Sequence, residues 1–162
     1  GEKLPDIEMK VIIKDEIKDS KLSKLFADHS LMHPREKKII LFSVPGAFTP
    51  TCSAKHLPGY IKYYQDIKDK GVDIIACMAV NDPHVMRAWG IANDIEDKID
   101  MLSDSDCSIS ASLGLDMNFG RIMGHRSRRF SMIVDDNVIK KSFVEEVGAF
   151  EVSTAENILK NL

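Results

Sequence analysis

An apolar run, Lys37-Lys38-Ile39-Ile40-Leu41-Phe42-Ser43-Val44, leads directly into Pro45-Gly46-Ala47-Phe48-Thr49-Pro50-Thr51-Cys52-Ser53. The run shows no polar alternation, so it reads as a strand covered on both faces and needs a layer of structure on each side. After it, Ala54 to Tyr64 carries apolar residues at helical spacing. A cysteine is thus delivered from a buried strand, over a Pro/Gly turn, onto the first turn of a helix. Helix N-termini present unpartnered N–H groups and partial positive charge. Both favour a thiolate over a thiol, and thiols so placed can fall well below the free value of about 8.5. Thr49 and Thr51 are near enough to donate to the sulfur or to cap the helix. The competing reading is a buried structural cysteine, since unpaired Cys is among the most buried residue types.

The spacing Pro45-x-x-x-Thr49-x-x-Cys52 resembles the peroxidatic motif of the peroxiredoxins, and Pro-Gly-Ala-Phe-Thr-Pro-x-Cys-Ser resembles the wording of their type II, or type five, branch. Three later segments agree with that branch: Gly71 to Cys77, Val80-Asn81-Asp82-Pro83, and Arg126-Ser127-Arg128-Arg129-Phe130-Ser131. The resemblance runs from about residue 4 to the C-terminus. It implies a thiol peroxidase that reduces hydrogen peroxide and alkyl hydroperoxides. Cys52 would cycle from thiolate to sulfenic acid, and an external thiol would regenerate it. It also implies that Thr49 holds the peroxide, Pro45 shields the site from water, Arg129 supplies the fixed cation, and Gly46, Phe48 and Thr51 bind substrate. No cofactor or metal is implied.

The residues themselves say something about Arg129. Strand alternation sets it opposite Arg128 and on the same face as Ser131 and Ile133, the inward face. An inward arginine wants an anionic partner. Arg126 is then a supporting residue and Arg128 a surface one. His56, one turn after Cys52, reads as a base, a zinc co-ligand, or a surface or packing residue, and the absence of further ligand types nearby favours surface or packing.

Regeneration leaves more open. Cys77 sits where some plant members of the branch carry a cysteine proposed as resolving, but its strand setting is that of an inert apolar thiol. A disulfide to Cys52 would need the Cα atoms within about 7 Å. Animal members place a resolving cysteine near the C-terminus, and Gly148 to Ser153 contains none. Cys107 has no counterpart. A one-cysteine cycle driven by glutaredoxin/glutathione or by thioredoxin is the working expectation, with a homodimer as the family habit. A redox-sensing module without efficient turnover is the reading from another class.

Along the rest of the chain, Leu4 to Ile13 reads as an edge strand after Pro5. Asp19 or Ser20 reads as the cap of a short helix carrying Leu22, Leu25 and Phe26. His29 and His33 have a metal-ligand spacing on a helix, weakened by Pro34. The helix after Cys52 should reach Lys70 and stop at Gly71, with Pro58 kinking it. Val72 to Val80 is a second buried strand. His84 to Asn93 is a helix with Val85, Ala88, Trp89 and Ala92 on one face. Ile99 to Leu102 is a short strand, Ile109 to Leu113 a helix, and Met117 to Gly124 a loop. Arg126 to Val134 and Val138 to Val144 form a hairpin over Asp135-Asp136-Asn137. Ser153 to Glu156 is a capping box for the last helix. Alternating strands and helices closed by a hairpin fit a thioredoxin-like α/β fold, a mixed central sheet flanked by helices, over a single domain of residues 1–162.

The chain has 162 residues, is 44% hydrophobic and 29% charged, and carries a formal charge of −3. That length can bury about 70% of the unfolded surface. The charge gives no case for nucleic acid or anionic lipid. No apolar run approaches the roughly 20 residues of a membrane helix. Three cysteines at irregular spacing favour a reducing compartment. The expectation is a soluble cytoplasmic protein, or an organellar one if a transit peptide preceded Gly1.

Overall fold

The computed structural model describes residues 1–24 and 38–162. The apolar run forms β3, Lys38–Ser43, with every residue from Ile39 to Ser43 buried. Its burial follows from its place in the sheet. The strands β1 (Glu8–Ile13), β2 (Glu16–Lys21), β4 (Ile74–Ala79), β5 (Asp100–Ser103), β8 (Phe130–Asp135) and β9 (Val138–Val144) join it in a seven-stranded sheet of order β2-β1-β5-β4-β3-β8-β9. β4 pairs parallel with both β3 and β5, and the outer pairings are antiparallel. This is the mixed sheet of a thioredoxin-like fold.

Alternation along the central strands feeds two cores. Ile40, Phe42, Ile75, Cys77, Met101 and Ile133 pack on one side with Leu57, Tyr60, Trp89 and Ile158. Those last four come from or adjoin the helices α1 (Leu57–Lys62), α3 (Pro83–Ala92) and α5 (Ala155–Lys160). Ile39, Leu41, Ile74, Met78 and Met132 pack on the other side with Leu22 and with Ile109 of α4 (Ser108–Ser112). Cys52 and Cys77 belong to the first core.

Several elements depart from expectation. β1 is not an edge strand, because Lys14 and Asp15 both adopt left-handed backbone angles (φ 49° and 68°) and fold the chain back into β2, which takes the edge. Asp19 and Ser20 therefore lie in a strand, and among the described residues Leu22–Lys24 follows as a 3-10 turn. Leu25 and Phe26, and the His29 and His33 pair with its metal-ligand spacing, lie outside the described residues. The helix after Cys52 is interrupted at Tyr63, which separates α1 from α2 (Tyr64–Asp69), and the chain turns out at Gly71 with φ 91°. α3 turns inward through Met86, Trp89 and Gly90, leaving Ala88 and Ala92 exposed. Gly90 allows this approach, since a Cβ there would lie 2.7 Å from Ile95 Cδ1.

The loop expected over 117–124 is bounded by a small antiparallel pair, β6 (Asp116–Asn118) and β7 (His125–Ser127). Arg128 and Arg129 consequently fall between β7 and β8 instead of within one strand. Asp136 and Asn137 turn β8 into β9 as expected, while Asp135, also expected in the turn, ends β8. The cap of α5 is Thr154, whose hydroxyl accepts from Asn157 N–H, and Ser153 is buried for another purpose. Among the described residues no helix is long and apolar enough to cross a membrane.

Phe42 is fully buried and stacks on Tyr60 with ring centroids 4.0 Å apart. Phe42→Ala is expected to destabilise the protein by about 3–5 kcal/mol. Urea unfolding should show a lower midpoint at an unchanged slope.

Candidate active site

The turn leaving β3 is pinned from several sides. Val44 N–H donates to Met78 O at 3.0 Å, and Ala47 N–H donates to Asn81 Oδ1 at 2.8 Å, so the end of β4 holds its first half. Arg126 clasps it from above, with Nη1 donating to Pro45 O at 3.0 Å and Nε to Met123 O at 2.6 Å. Gly46 makes this clasp possible, because a Cβ there would come within 2.2 Å of Arg126 Nη1. Phe48 takes a left-handed angle (φ 64°) that sends the chain into the helix. Helical structure begins at Pro50, and Ser53 N–H donates to Thr49 O at 2.9 Å. Thr49 Oγ1 donates to Gly46 O at 2.7 Å, so its lone pairs remain for an incoming donor.

Cys52–His56 is wound as a π-helix, with Leu57 N–H donating to Cys52 O. Pro58, which has no N–H to continue an α-helical ladder back to Ala54, opens the α-helix that follows. The irregularity expected at Pro58 is thus displaced onto the turn bearing the cysteine itself. Such π segments recur at functional sites. Ser53 Oγ accepts from Trp89 Nε1 at 2.9 Å and ties this turn to α3.

Cys52 is completely buried. Arg129 Nη2 donates to Cys52 Sγ at 3.1 Å, while Nη1 lies 2.8 Å from His56 Nδ1. An arginine can only donate, so His56 Nδ1 presents its lone pair, and the proton sits on Nε2, which donates to Ser153 O at 3.1 Å. His56 is 1% exposed, not a surface residue. Burial, and then the adjacent Arg129 charge, lower its pKa from 6.5 to about 3, so it stays neutral. The rings of Phe42, Phe150 and Tyr60 lie 4.9, 5.1 and 5.7 Å from it. The sequence did carry a signal for this residue, its position one turn after Cys52 on the same face, but nothing local showed that an arginine distant in sequence would meet it there.

Beside this group lies a cavity of about 370 Å³ walled by Pro45, Thr49, Pro50, Thr51, Phe119, Met123, Arg128, Arg129 and residues 145–149. Pro45, Thr49, Thr51 and Arg129 thus meet at one place. Gly46 and Phe48 are not in the wall: the first is packed beneath Arg126, and the second is 57% exposed. Arg128 is half-buried in the wall, not on the free surface, because its Nη2 donates to Glu145 O at 2.9 Å.

Cys77 is buried on β4 opposite Phe42, and no disulfide joins it to Cys52. Burial, and then the proximity of Cys52, push its thiol pKa well above the ordinary value. Cys107 precedes α4 in a left-handed conformation (φ 65°), and burial raises its pKa as well. Among the described residues no group of His, Cys, Asp and Glu has the arrangement of a metal site.

A mixed sheet with helices on both faces, and a cysteine on the first helical turn after a central strand, define a thioredoxin-like thiol enzyme. The comparisons with known proteins narrow the class. The family model described as Redoxin matches residues 1–159. The chain is 41% identical over 167 residues to peroxiredoxin-2E, chloroplastic, of Arabidopsis thaliana, covering 100% of this chain and 68% of that protein. It is 46% identical over 127 residues to peroxiredoxin-2B of the same plant, covering 78% of each. Among solved structures, reduced Prx3 in complex with H2O2 from Vibrio vulnificus is 43% identical with a TM-score of 0.89, covering 99% of this chain and 96% of that one. The Plasmodium falciparum 1-Cys peroxiredoxin is 31% identical with a TM-score of 0.85, covering 99% and 98%. The chain belongs to the Redoxin family and, within it, to the type II peroxiredoxins. It is a thiol peroxidase that takes peroxide as substrate and a thiol as reductant, and the sensing module without turnover is not favoured.

The His56 shift has a consequence for stability. A histidine held neutral in the fold but free to protonate when unfolded stabilises the protein fully above pH 6.5. That contribution is lost as pH falls toward about 3, at about 1.4 kcal/mol per pH unit. Urea titrations between pH 7 and pH 4.5 should show this slope in the wild type and a shallower one in His56→Asn.

Proposed function

We propose that Cys52 is the nucleophile of this peroxidase and Arg129 its fixed cation. The observation that carries this is the shared guanidinium, 3.1 Å from the Cys52 sulfur and 2.8 Å from the His56 nitrogen, at the edge of a cavity that contains Thr49. The Cys52 thiolate attacks the terminal peroxide oxygen. Its electron pair forms the S–O bond, the O–O bond breaks, and the departing oxygen takes a proton to leave as water or alcohol. Cys52 is left as sulfenic acid. Thr49 Oγ1, its own hydrogen given to Gly46 O, accepts the peroxide O–H and aligns the attack. Arg129 stabilises negative charge as it moves from sulfur to the leaving oxygen. Pro45 and Thr51 narrow the access, and Gly46 and Phe48 shape the turn that presents Thr49.

Return to the thiol takes two equivalents of external thiol. The first forms a mixed disulfide on Cys52 and releases water, and the second displaces Cys52. The buried Cys52 sulfur must come outward for this, and the π turn ahead of Pro58 is the segment that unwinds. Cys77 serves as packing, in keeping with its burial and raised pKa. In this reading glutaredoxin/glutathione or thioredoxin is the reductant, residues 1–162 act as one domain, and the protein works as a homodimer. It works in the cytoplasm or, as the name of the chloroplastic relative suggests, in an organelle.

Peroxide consumption with each donor tests the assignment. Cys52→Ser is expected to be inactive with every donor. Arg129→Gln should oxidise about a hundredfold more slowly in stopped-flow, and Cys77→Ser should turn over like wild type. Wild-type turnover by Cys52→Ser would sink the assignment. Loss of thioredoxin-driven turnover alone in Cys77→Ser would make Cys77 the resolving residue.

A further inference from the structure

Glu145, just past β9, is 3% exposed. A buried carboxylate is costly unless its oxygens are satisfied. Here one oxygen, Oε2, accepts from the N–H groups of Glu151, Val152 and Ser153 at 2.8, 3.0 and 2.9 Å and from Ser153 Oγ at 2.7 Å. Burial by itself would raise the Glu145 pKa, but these donors outweigh it and hold the carboxyl below its ordinary range. The backbone of Glu145 is tied to both neighbouring arginines. Its N–H donates to Arg129 O at 3.0 Å, and its carbonyl accepts from Arg128 Nη2 at 2.9 Å.

The backbone that Glu145 gathers ends in the Ser153 carbonyl. That carbonyl accepts from His56 Nε2 at 3.1 Å, from Tyr60 Oη at 2.9 Å and from Ser131 Oγ at 2.7 Å. Phe150, within the same loop, lies 5.1 Å from the His56 ring and 5.8 Å from the Arg129 guanidinium. Both the acceptor for the His56 proton and one of the rings that confine its imidazole therefore come from a loop closed by a single carboxylate.

We propose that Glu145 is a positioning residue for Arg129: by fixing the 151–153 backbone it holds the Ser153 carbonyl on His56 Nε2, which keeps Nδ1 as the acceptor that aims Arg129 at Cys52. This rests on the roles given above to Cys52 and Arg129. Glu145 touches neither the sulfur nor the peroxide. It sets the tautomer and place of the imidazole, and through them the direction of the guanidinium.

Glu145→Gln keeps the shape but replaces charge-assisted bonds with neutral ones. Stopped-flow oxidation of Cys52 by hydrogen peroxide is expected to slow about tenfold. In 15N spectra the wild-type His56 ring should show one Nε2–H tautomer, and the variant should show exchange between two. Glu145→Asp, too short to reach the same donors, should behave alike, so either folded variant decides. A folded variant with wild-type rate and an unchanged His56 spectrum overturns the proposal. So does a slower variant whose His56 spectrum is unchanged, since the loop would then act by another route. If wild-type Cys52 itself resists peroxide, the assignment of Cys52 has failed, and the failure is not that of Glu145.

Discussion

A single guanidinium, shared between a sulfur and an imidazole, sets the geometry of the site. Arg129 has only donors, and burying its charge is tolerable only where acceptors face it. Cys52 Sγ supplies one and His56 Nδ1 another. The imidazole can serve only while neutral, because a protonated ring would offer a donor and a repelling charge. Burial and the arginine itself enforce that neutrality. The guanidinium and the imidazole thus fix each other's orientation, and the sulfur takes the remaining donor. Sheet topology brings them together: Ser43, at the end of β3, pairs with Phe130, the residue after Arg129.

The turn that presents Cys52 combines firm anchoring with local irregularity. Asn81 holds Ala47, Arg126 holds Pro45, and Trp89 holds Ser53. These anchors come from the end of β4, from β7 and from α3. Yet the residues they surround form a π-helix instead of a regular one, and Pro58 prevents the α-helical ladder from closing over them. Anchoring at both ends leaves the buried Cys52 on the least regular turn of the site.

The parts legible in sequence were those in which local chemistry and global structure agree. The unbroken apolar run predicted β3, Asp136-Asn137 predicted the β8–β9 turn, and the Pro/Gly turn predicted delivery of Cys52 to a helix start. Arg129 does face Cys52, although the strand alternation that predicts it does not apply, because the residue lies between β7 and β8. Failures occurred where a backbone angle or a distant partner decided. Lys14-Asp15 is an unremarkable pair in sequence, yet its left-handed turn creates β2 and removes β1 from the edge. Ser153 resembles a helix cap, but its N–H and hydroxyl go to Glu145, and the cap falls to Thr154. Arg128 was placed outward by alternation along a continuous strand, whereas the chain breaks between β7 and β8 and the side chain reaches Glu145.

The order of elements was enough to predict the fold class, and the resemblance of the motif around Cys52 and Arg129 was enough to predict the chemistry of the family. Periodicity and turn composition are local properties that survive without knowledge of neighbours. That His56 is a buried neutral acceptor, that Gly46 leaves room for Arg126, and that one carboxylate gathers the loop behind the imidazole became visible once the chain was packed. Each of these depends on hydrogen bonds between residues far apart in the chain, and no local pattern encodes which distant donor will meet which acceptor.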